Sequence, residues 1–330
     1  MAESTIREES GGPDALDLQL LHALELDGRA PFARIAAALG VSDQTVARRF
    51  RKLRTEARLR IVAVREREDV WLLRLRCTPD SADSIASALA RRPDTAWIHI
   101  TSAGTEVVCM TLPRDPGDYD ELMFGKLLRT PHIVEVRAHQ RLHRFFGGST
   151  GWIGKHGPLA PGQVAALTPA RQDDAPHPDA ARTTPDDDPL IAALKADGRA
   201  TYPELARATG RSESAVKRRL AQLIDSGALY MDTEYDAEWF GFRTAAMLWI
   251  TVAPRHLRAV GEAMAGHRAV CHASATTGPS NLMASILTRD TEELYAYLSD
   301  ELGGLDGVQH VEASPYLRRY KQLTHLRPPR

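Results

Sequence analysis

Apolar positions recur at helical spacing three times near the start of the chain. Leu18, Leu21 and Leu24 share one face; Phe32, Ile35, Ala36 and Leu39 form a second stripe; Val46, Phe50 and Leu53 fall at i, i+4 and i+7 of a third. Gly40 suits the end of the second helix, and Ser42 offers an N-cap for the third. The frame returns later, where Leu205, Ala206 and Gly210 lead to Ser212 and a buried stripe of Val216, Leu220 and Leu223. Residues 71–77 (WLLRLRC) and 245–252 (AAMLWITV) read as strands. Residues 81–91 and 255–266 have helical spacing, Ile85 with Leu89 and Leu257 with Val260, Gly261 and Met264. Further strands flank loops at 101–106 and 276–281, so each half predicts strand–helix–strand–strand–helix–strand, a split βαβ order.

The recurrence is an internal duplication. Asp27-Gly28-Arg29-Ala30 returns as Asp197-Gly198-Arg199-Ala200, and at the same offset of 170 Gly40 meets Gly210, Ser42 meets Ser212, Val46 meets Val216 and Arg48-Arg49 meets Arg218-Arg219. Further along the offset is 175, pairing Pro79 with Pro254, Asp115 with Asp290, Leu127 with Leu302, Val136 with Val311 and Leu142 with Leu317. The change falls between Ala57 and Trp71, where the first half is shorter. Between the halves, Gly147–Asp188 reads as a linker with weak order toward its end, except for a helical turn or two over Pro161–Leu167.

The 330-residue chain carries 42 Lys+Arg against 43 Asp+Glu, so any basic surface must be local. It is local: residues 42–60 hold seven Lys/Arg and two Asp/Glu. Gln44, Arg48 and Arg51 point away from the buried stripe of the third helix, flanked by Arg49 and Lys52. A short turn before a helix with such an outer face is what major-groove reading needs. The second copy is poorer, with four Lys/Arg against two Asp/Glu over 211–227. Ala221, Gln222 and Ile224 stand where the first has Arg51, Lys52 and Arg54, so weaker binding, or a mostly scaffolding role, is expected there. Candidate DNA contacts are Ser42, Gln44, Thr45, Arg48, Arg49, Arg51 and Lys52, then Ser212, Ser214, Lys217, Arg218 and Arg219. Three distant cysteines argue for a reducing compartment. The first residues lack the apolar core of a signal peptide and no run is long enough to span a membrane, so a cytoplasmic protein is expected.

LDLQLLHALELDGRAPFARIAAALGVSDQTVARRFRKL and ALKADGRATYPELARATGRSESAVKRRLAQLIDSGAL both resemble the winged helix-turn-helix of the Lrp/AsnC family of bacterial feast/famine regulators. TTGPSNLMASILTRDTEELYAYLSDELGGLDGVQHVEASPYLRRYK resembles that family's small-molecule-binding domain, and TSAGTEVVCMTLPRDPGDYDELMFGKLLRTPHIVEVRAHQRLHRFF does so less closely. The resemblance implies an α+β chain in which two winged helix-turn-helix domains alternate with two ferredoxin-like (βαββαβ) domains. The expected bounds are 14–62, 68–146, a linker at 147–188, 189–232 and 243–324. It implies double-stranded DNA as partner, homo-oligomers formed through the sheets, no cofactor, and a small-molecule effector, an amino acid in the family, bound near the pairing surface. The loops after the second strands supply the candidate effector residues Ser102, Gly104, Thr105, Glu106, Thr277, Gly278, Ser280 and Asn281. The family's Gly-x-Tyr-Asp is absent from both loops, and a plain hairpin turn uses the same residue types. Ala57 stands where the second copy has Gly227, which predicts an altered first wing.

Other chemistry finds little support. GWIGKHG is no phosphate loop, because Ser149 and His156 stand at positions needing glycine and a hydroxyl. His139 and His143 read as surface residues without a third metal ligand, and His99 and His272 as structural histidines. No triad order is present. Siroheme decarboxylases, including fused two-half versions, resemble the same architecture, but their His, Tyr-x-Arg and Tyr-Asn signature is not met around His272-Ala273-Ser274-Ala275 and Asn281-Leu282-Met283. A scaffold using its sheets only for assembly is a third reading.

Overall fold

The computed structural model describes residues 12–67, 69–112, 127–169 and 182–324, with single positions 122, 125 and 326. The N-terminal stretch, Asp115 with most of the second helix expected in the first sheet domain, and linker residues 170–181 lie outside the described residues.

Helices α1 (Ala15–Leu26), α2 (Phe32–Leu39) and α3 (Asp43–Glu56) follow the first apolar pattern. Asp14 and Asp17 cap α1 reciprocally, Gly40 ends α2 at φ 69°, and the Ser42 hydroxyl accepts from the Thr45 amide at 3.2 Å to start α3. Strand β1 (Arg60–Arg65) leads to β2 (Trp71–Cys77), α4 (Ala82–Ala90), β3 (Thr95–Thr101), β4 (Glu106–Thr111) and β5 (Ile133–Phe146). Helix α5 (Pro161–Leu167) stands where expected in the linker. Helices α6 (Asp188–Ala196), α7 (Tyr202–Thr209) and α8 (Glu213–Asp225) repeat the first three, and β6 (Leu229–Glu234) repeats β1. Then come β7 (Thr244–Val252), α9 (Leu257–Gly266), β8 (Val270–Thr276), β9 (Leu282–Thr288), α10 (Thr291–Ala296), β10 (Val308–Pro315) and β11 (Arg318–Lys321).

The two halves join each other. Strands β1 and β6 form an antiparallel ribbon, with Val62 opposite Asp232. The repeated Asp-Gly-Arg-Ala segments meet across the same joint. Arg29 donates to the carbonyls of Gly198 and Ala200 at 2.5 and 3.0 Å, and Arg199 donates to those of Gly28 and Ala30 at 2.7 and 2.9 Å. This is the reciprocal pattern of a two-fold interface, formed inside one chain. Gly198 is required by proximity: a Cβ there would sit 2.7 Å from the Ile61 carbonyl oxygen.

Nine strands run in the order β10-β7-β9-β8-β5-β2-β4-β3-β11. Each half contributes four in the same relative order, and β5 pairs with β8 to join them. The sheet folds back on itself, because Leu72 and Val108 from the first half pack against Met247, Trp249 and Met283 from the second. Arg74 reinforces this contact. It donates to Glu106 of its own half (2.8 Å) and to Glu312 of the other (3.0 Å), 4.7 Å from the centre of the Trp249 ring. The two sheet units of one chain thus pair with each other, the covalent counterpart of a dimer.

The first part of the expected linker, residues 147–169, is packed: Trp152, Ile153, Leu159 and Leu167 join the core of the first three helices, while the weak order expected toward its end falls largely on residues 170–181, outside the described residues. The Trp152 indole donates to the Arg268 carbonyl (2.8 Å), and Lys155 donates to those of His267 and Val270 (3.0 and 2.7 Å), clasping the first three helices to the second sheet unit. The five extra residues of the second half fall between β6 and β7, around a tight turn at Ala237–Phe240, whose Ala237 and Phe240 also pack on the first three helices. Ala57 itself stays right-handed, and the left-handed position moves to Arg58 (φ 52°), whereas Gly227 (φ 72°) takes it in the second copy.

Candidate functional site

Two surfaces concentrate chemistry. The first is the outer face of α3 and its counterpart α8. Gln44, Arg48, Arg51 and Arg54 are exposed on α3, as are Ser214, Lys217 and Arg218 on α8. Ser42 and Ser212 serve as N-caps, and the Thr45 hydroxyl lies 2.9 Å from that of Ser42. Arg49, Lys52 and Arg219, expected among the DNA contacts, turn inward. Arg49 pairs with Asp14 (2.5 Å) and Asp17 (3.2 Å), and Lys52 pairs with Asp17 (2.9 Å). Arg219 pairs with Asp187 (2.7 Å), the repeat of the Asp17–Arg49 contact. A carboxylate as fully buried as Asp17 requires a counter-charge, which is why these bases face the core. Arg219 holds the Asp187 carboxyl down to about 2. This reuse of Arg49 and Arg219 was readable in the sequence, since Asp17 and Asp187 share the 170-residue offset with them.

The second is a cavity of about 190 Å³ between the inner faces of the folded sheet, the β1–β6 ribbon and the linker. Leu72, Val108, Met110, Met247 and Met283 supply apolar wall. Arg141 and Arg144 reach in from β5 and meet Glu66, just beyond β1. Arg144 donates to both Glu66 oxygens (3.2 and 2.7 Å); Arg141 approaches at 3.4 Å and also holds the Arg67 carbonyl. His99 stacks on Tyr316 with centroids 3.9 Å apart, and Arg319 lies beside them on the wall. His272 lies 2.8 Å from the Ser274 hydroxyl, and burial beside Arg141 and Arg144 pushes its imidazole down to about 3, so it is neutral. On the reader side Glu25 accepts from the Ile153 amide (3.0 Å) and the Tyr235 hydroxyl (3.3 Å). Burial, with Asp232 nearby, pushes Glu25 up to about 8; burial pushes Asp232 to about 7.

The candidate effector loops do not line this cavity. Glu106 is held by Arg74 and by the hydroxyls of Thr101 and Ser102 (3.0 and 3.3 Å). The Thr105 hydroxyl bonds the Ser102 carbonyl (2.7 Å), closing the turn through Gly104 (φ 87°). The Thr277 hydroxyl accepts from the Gln140 amide (2.9 Å), the Ser280 carbonyl accepts from Thr276 (3.0 Å), and the Asn281 amide bridges both backbone groups of Val252 (2.9 and 2.8 Å). Gly278 (φ 101°) passes so close to His139 that a Cβ would be 2.6 Å from its Nδ1. His139, expected at the surface, is buried against the Thr277 carbonyl (2.8 Å) and Trp249, while His143 is exposed as expected. Sequence reasoning missed the cavity, because its walls come from segments scattered from Glu25 to Leu323. No metal-ligating cluster and no helix long and apolar enough to cross a membrane occur among the described residues.

Comparison with known proteins agrees with the duplicated reader. The profile of the AsnC-type helix-turn-helix domain matches residues 14–54 and again 187–224, and that of the Lrp/AsnC ligand binding domain matches 245–326. HTH-type transcriptional regulator FL11 of Pyrococcus horikoshii is 28% identical over 141 residues, covering 42% of this chain and 93% of its own. HTH-type transcriptional regulator LrpA of the same organism is 27% identical over 133 residues, 40% of this chain and 94% of its own. Over nearly the full length, the chain has the fold of the siroheme decarboxylase NirDL, solved with an iron-uroporphyrin III analogue. The TM-score is 0.61 at 14% identity, covering 94% of this chain and 93% of that one.

Proposed function

From a chain that belongs to the Lrp/AsnC family, we propose a sequence-specific DNA-binding transcriptional regulator in which one polypeptide does the work of a dimer, under control of a small-molecule effector. Each half is read as a winged helix-turn-helix (14–62 and 189–232) followed by a ferredoxin-like domain (68–146 and 243–324). The strands after the two readers pair with each other. The carrying observation is the pair of exposed basic third helices held on one joint by the reciprocal Arg29 and Arg199 contacts. Gln44, Arg48 and Arg51 are assigned to base edges and phosphates, with Ser42 and Thr45 at the helix start. Ser212, Ser214, Lys217 and Arg218 make the weaker second set, and Arg49, Lys52 and Arg219 position the helices. A cytoplasmic location, beside its DNA, belongs to the same proposal.

Fluorescence anisotropy of the full chain on its own promoter region and on a scrambled duplex, across salt, tests this. A preference for the promoter, with affinity falling steeply in salt, is expected. No binding at low salt refutes it.

The full-length likeness in fold to NirDL, with His99 and His272 beside the cavity, favours a second reading as a tetrapyrrole decarboxylase. Size argues against it: the cavity of about 190 Å³ is near the roughly 150 Å³ that accommodates benzene, not a macrocycle. A saturable shift of the Soret band when iron-uroporphyrin is titrated with the protein would support it over the regulator.

A further inference from the structure

The charges around the central cavity do not balance. Arg141 and Arg144 share one carboxylate, Glu66. Arg319 pairs with no carboxylate among the described residues, and its buried Nε has no hydrogen-bond partner among them. Of the other two acids on the wall, burial pushes Glu25 up to about 8, so it is mostly protonated near neutral pH, and Asp232 to about 7, so it is protonated about half the time; together they offset part of this positive charge. The buried histidines are neutral for the same reason. Arg141, Arg144 and Arg319 thus share one ion-paired carboxylate, Glu66, on a wall that also carries aliphatic, thioether and aromatic side chains. Arginine in such a setting prefers a planar, two-oxygen acceptor, and the volume suits one or two rings.

We propose that this cavity binds a small ring-bearing organic carboxylate, whose two oxygens replace those of Glu66 on Arg144 while its ring fills the wall around Leu72, Met247 and Met283. Glu66 follows the ribbon strand β1 and Arg144 belongs to the sheet strand β5. The exchange therefore unfastens the ribbon that carries both readers from the sheet, a two-state element that a ligand can bias. The effect on DNA rests on the regulator reading above; the binding itself does not.

Isothermal titration calorimetry of the full chain near pH 7.5 with 2-naphthoate, and with neutral 2-naphthamide of the same shape, tests the site. Naphthoate is expected to bind at least tenfold more tightly than the amide. Glu66→Gln, which removes the competing carboxylate, tightens naphthoate several-fold. Arg144→Gln weakens naphthoate tenfold or more and leaves the amide unchanged, which controls for folding. Equal affinities for acid and amide, weaker naphthoate binding in Glu66→Gln, or no binding of either probe overturns the proposal. Promoter anisotropy on the same samples separates the two readings: naphthoate binding without DNA binding refutes the regulator alone, and DNA binding without naphthoate binding refutes the carboxylate site alone.

Discussion

Replacing Arg29 or Arg199 with alanine removes one side of the joint between the readers. Each guanidinium makes two hydrogen bonds to backbone carbonyls of the other half, at 2.5 and 3.0 Å for Arg29 and 2.7 and 2.9 Å for Arg199. Bonds to a charged donor contribute roughly 1.5–3 kcal/mol each. Two such bonds, discounted because both side chains are partly exposed, give about 2–3 kcal/mol per arginine. Arg199 also lies 4.6 Å from the Phe32 ring centre and Arg29 5.4 Å from that of Tyr202, so the two losses are closely matched. The assay is urea unfolding of the full chain by circular dichroism, with promoter anisotropy on the same variants. Matched destabilisation is expected, together with weaker promoter binding as reader spacing loosens. A loss below about 0.5 kcal/mol for either variant, or a large effect from only one of them, refutes the reciprocal joint.

Arg48→Ala weakens promoter binding by about 1–3 kcal/mol in anisotropy without changing the urea midpoint, and Arg218→Ala does so less. Arg49→Ala does the reverse: it lowers stability by about 1–3 kcal/mol, because among the described residues buried Asp17 then keeps only Lys52 as its ion-pair partner. Asp187 is held near 2 by Arg219, below the roughly 3.9 of an unfolded aspartate, so its stabilisation is complete above about pH 4 and lost as pH falls toward 2. Acid unfolding followed by circular dichroism shows this as a step that Asp187→Asn removes. Gly278→Ala combines a left-handed backbone with a clash on His139 and costs about 1–3 kcal/mol by urea unfolding.

The readers were legible because helical period, glycine stops and serine caps are local signals, and α1 to α3 and α6 to α8 follow them. Both duplication offsets could be counted, but the role of the Asp-Gly-Arg-Ala repeat could not: its arginine bonds residues about 170 positions away. Charge on the third helix was visible, yet charge alone does not tell an outward Arg48 from an inward Arg49; the acid of α1 decides that. That the first part of the linker is packed was not legible, because Trp152 and Ile153 are anchored by contacts that only the fold supplies. The cavity has no sequence signature, since Glu66, Arg144, Asp232 and Arg319 converge only once the sheet folds back on itself.

Pairing β1 with β6 inside one polypeptide removes dilution as a variable. A regulator assembled from two chains loses its second reader at low abundance, so its occupancy rises with the square of concentration. In the regulator proposed above, acting as a single chain, both readers arrive together at any concentration, and occupancy follows the number of molecules in simple proportion. The two halves are also free to diverge, as Arg51 and Ala221 have. A chain of this kind is suited to operators whose two arms differ, which no pair of identical subunits can match equally well.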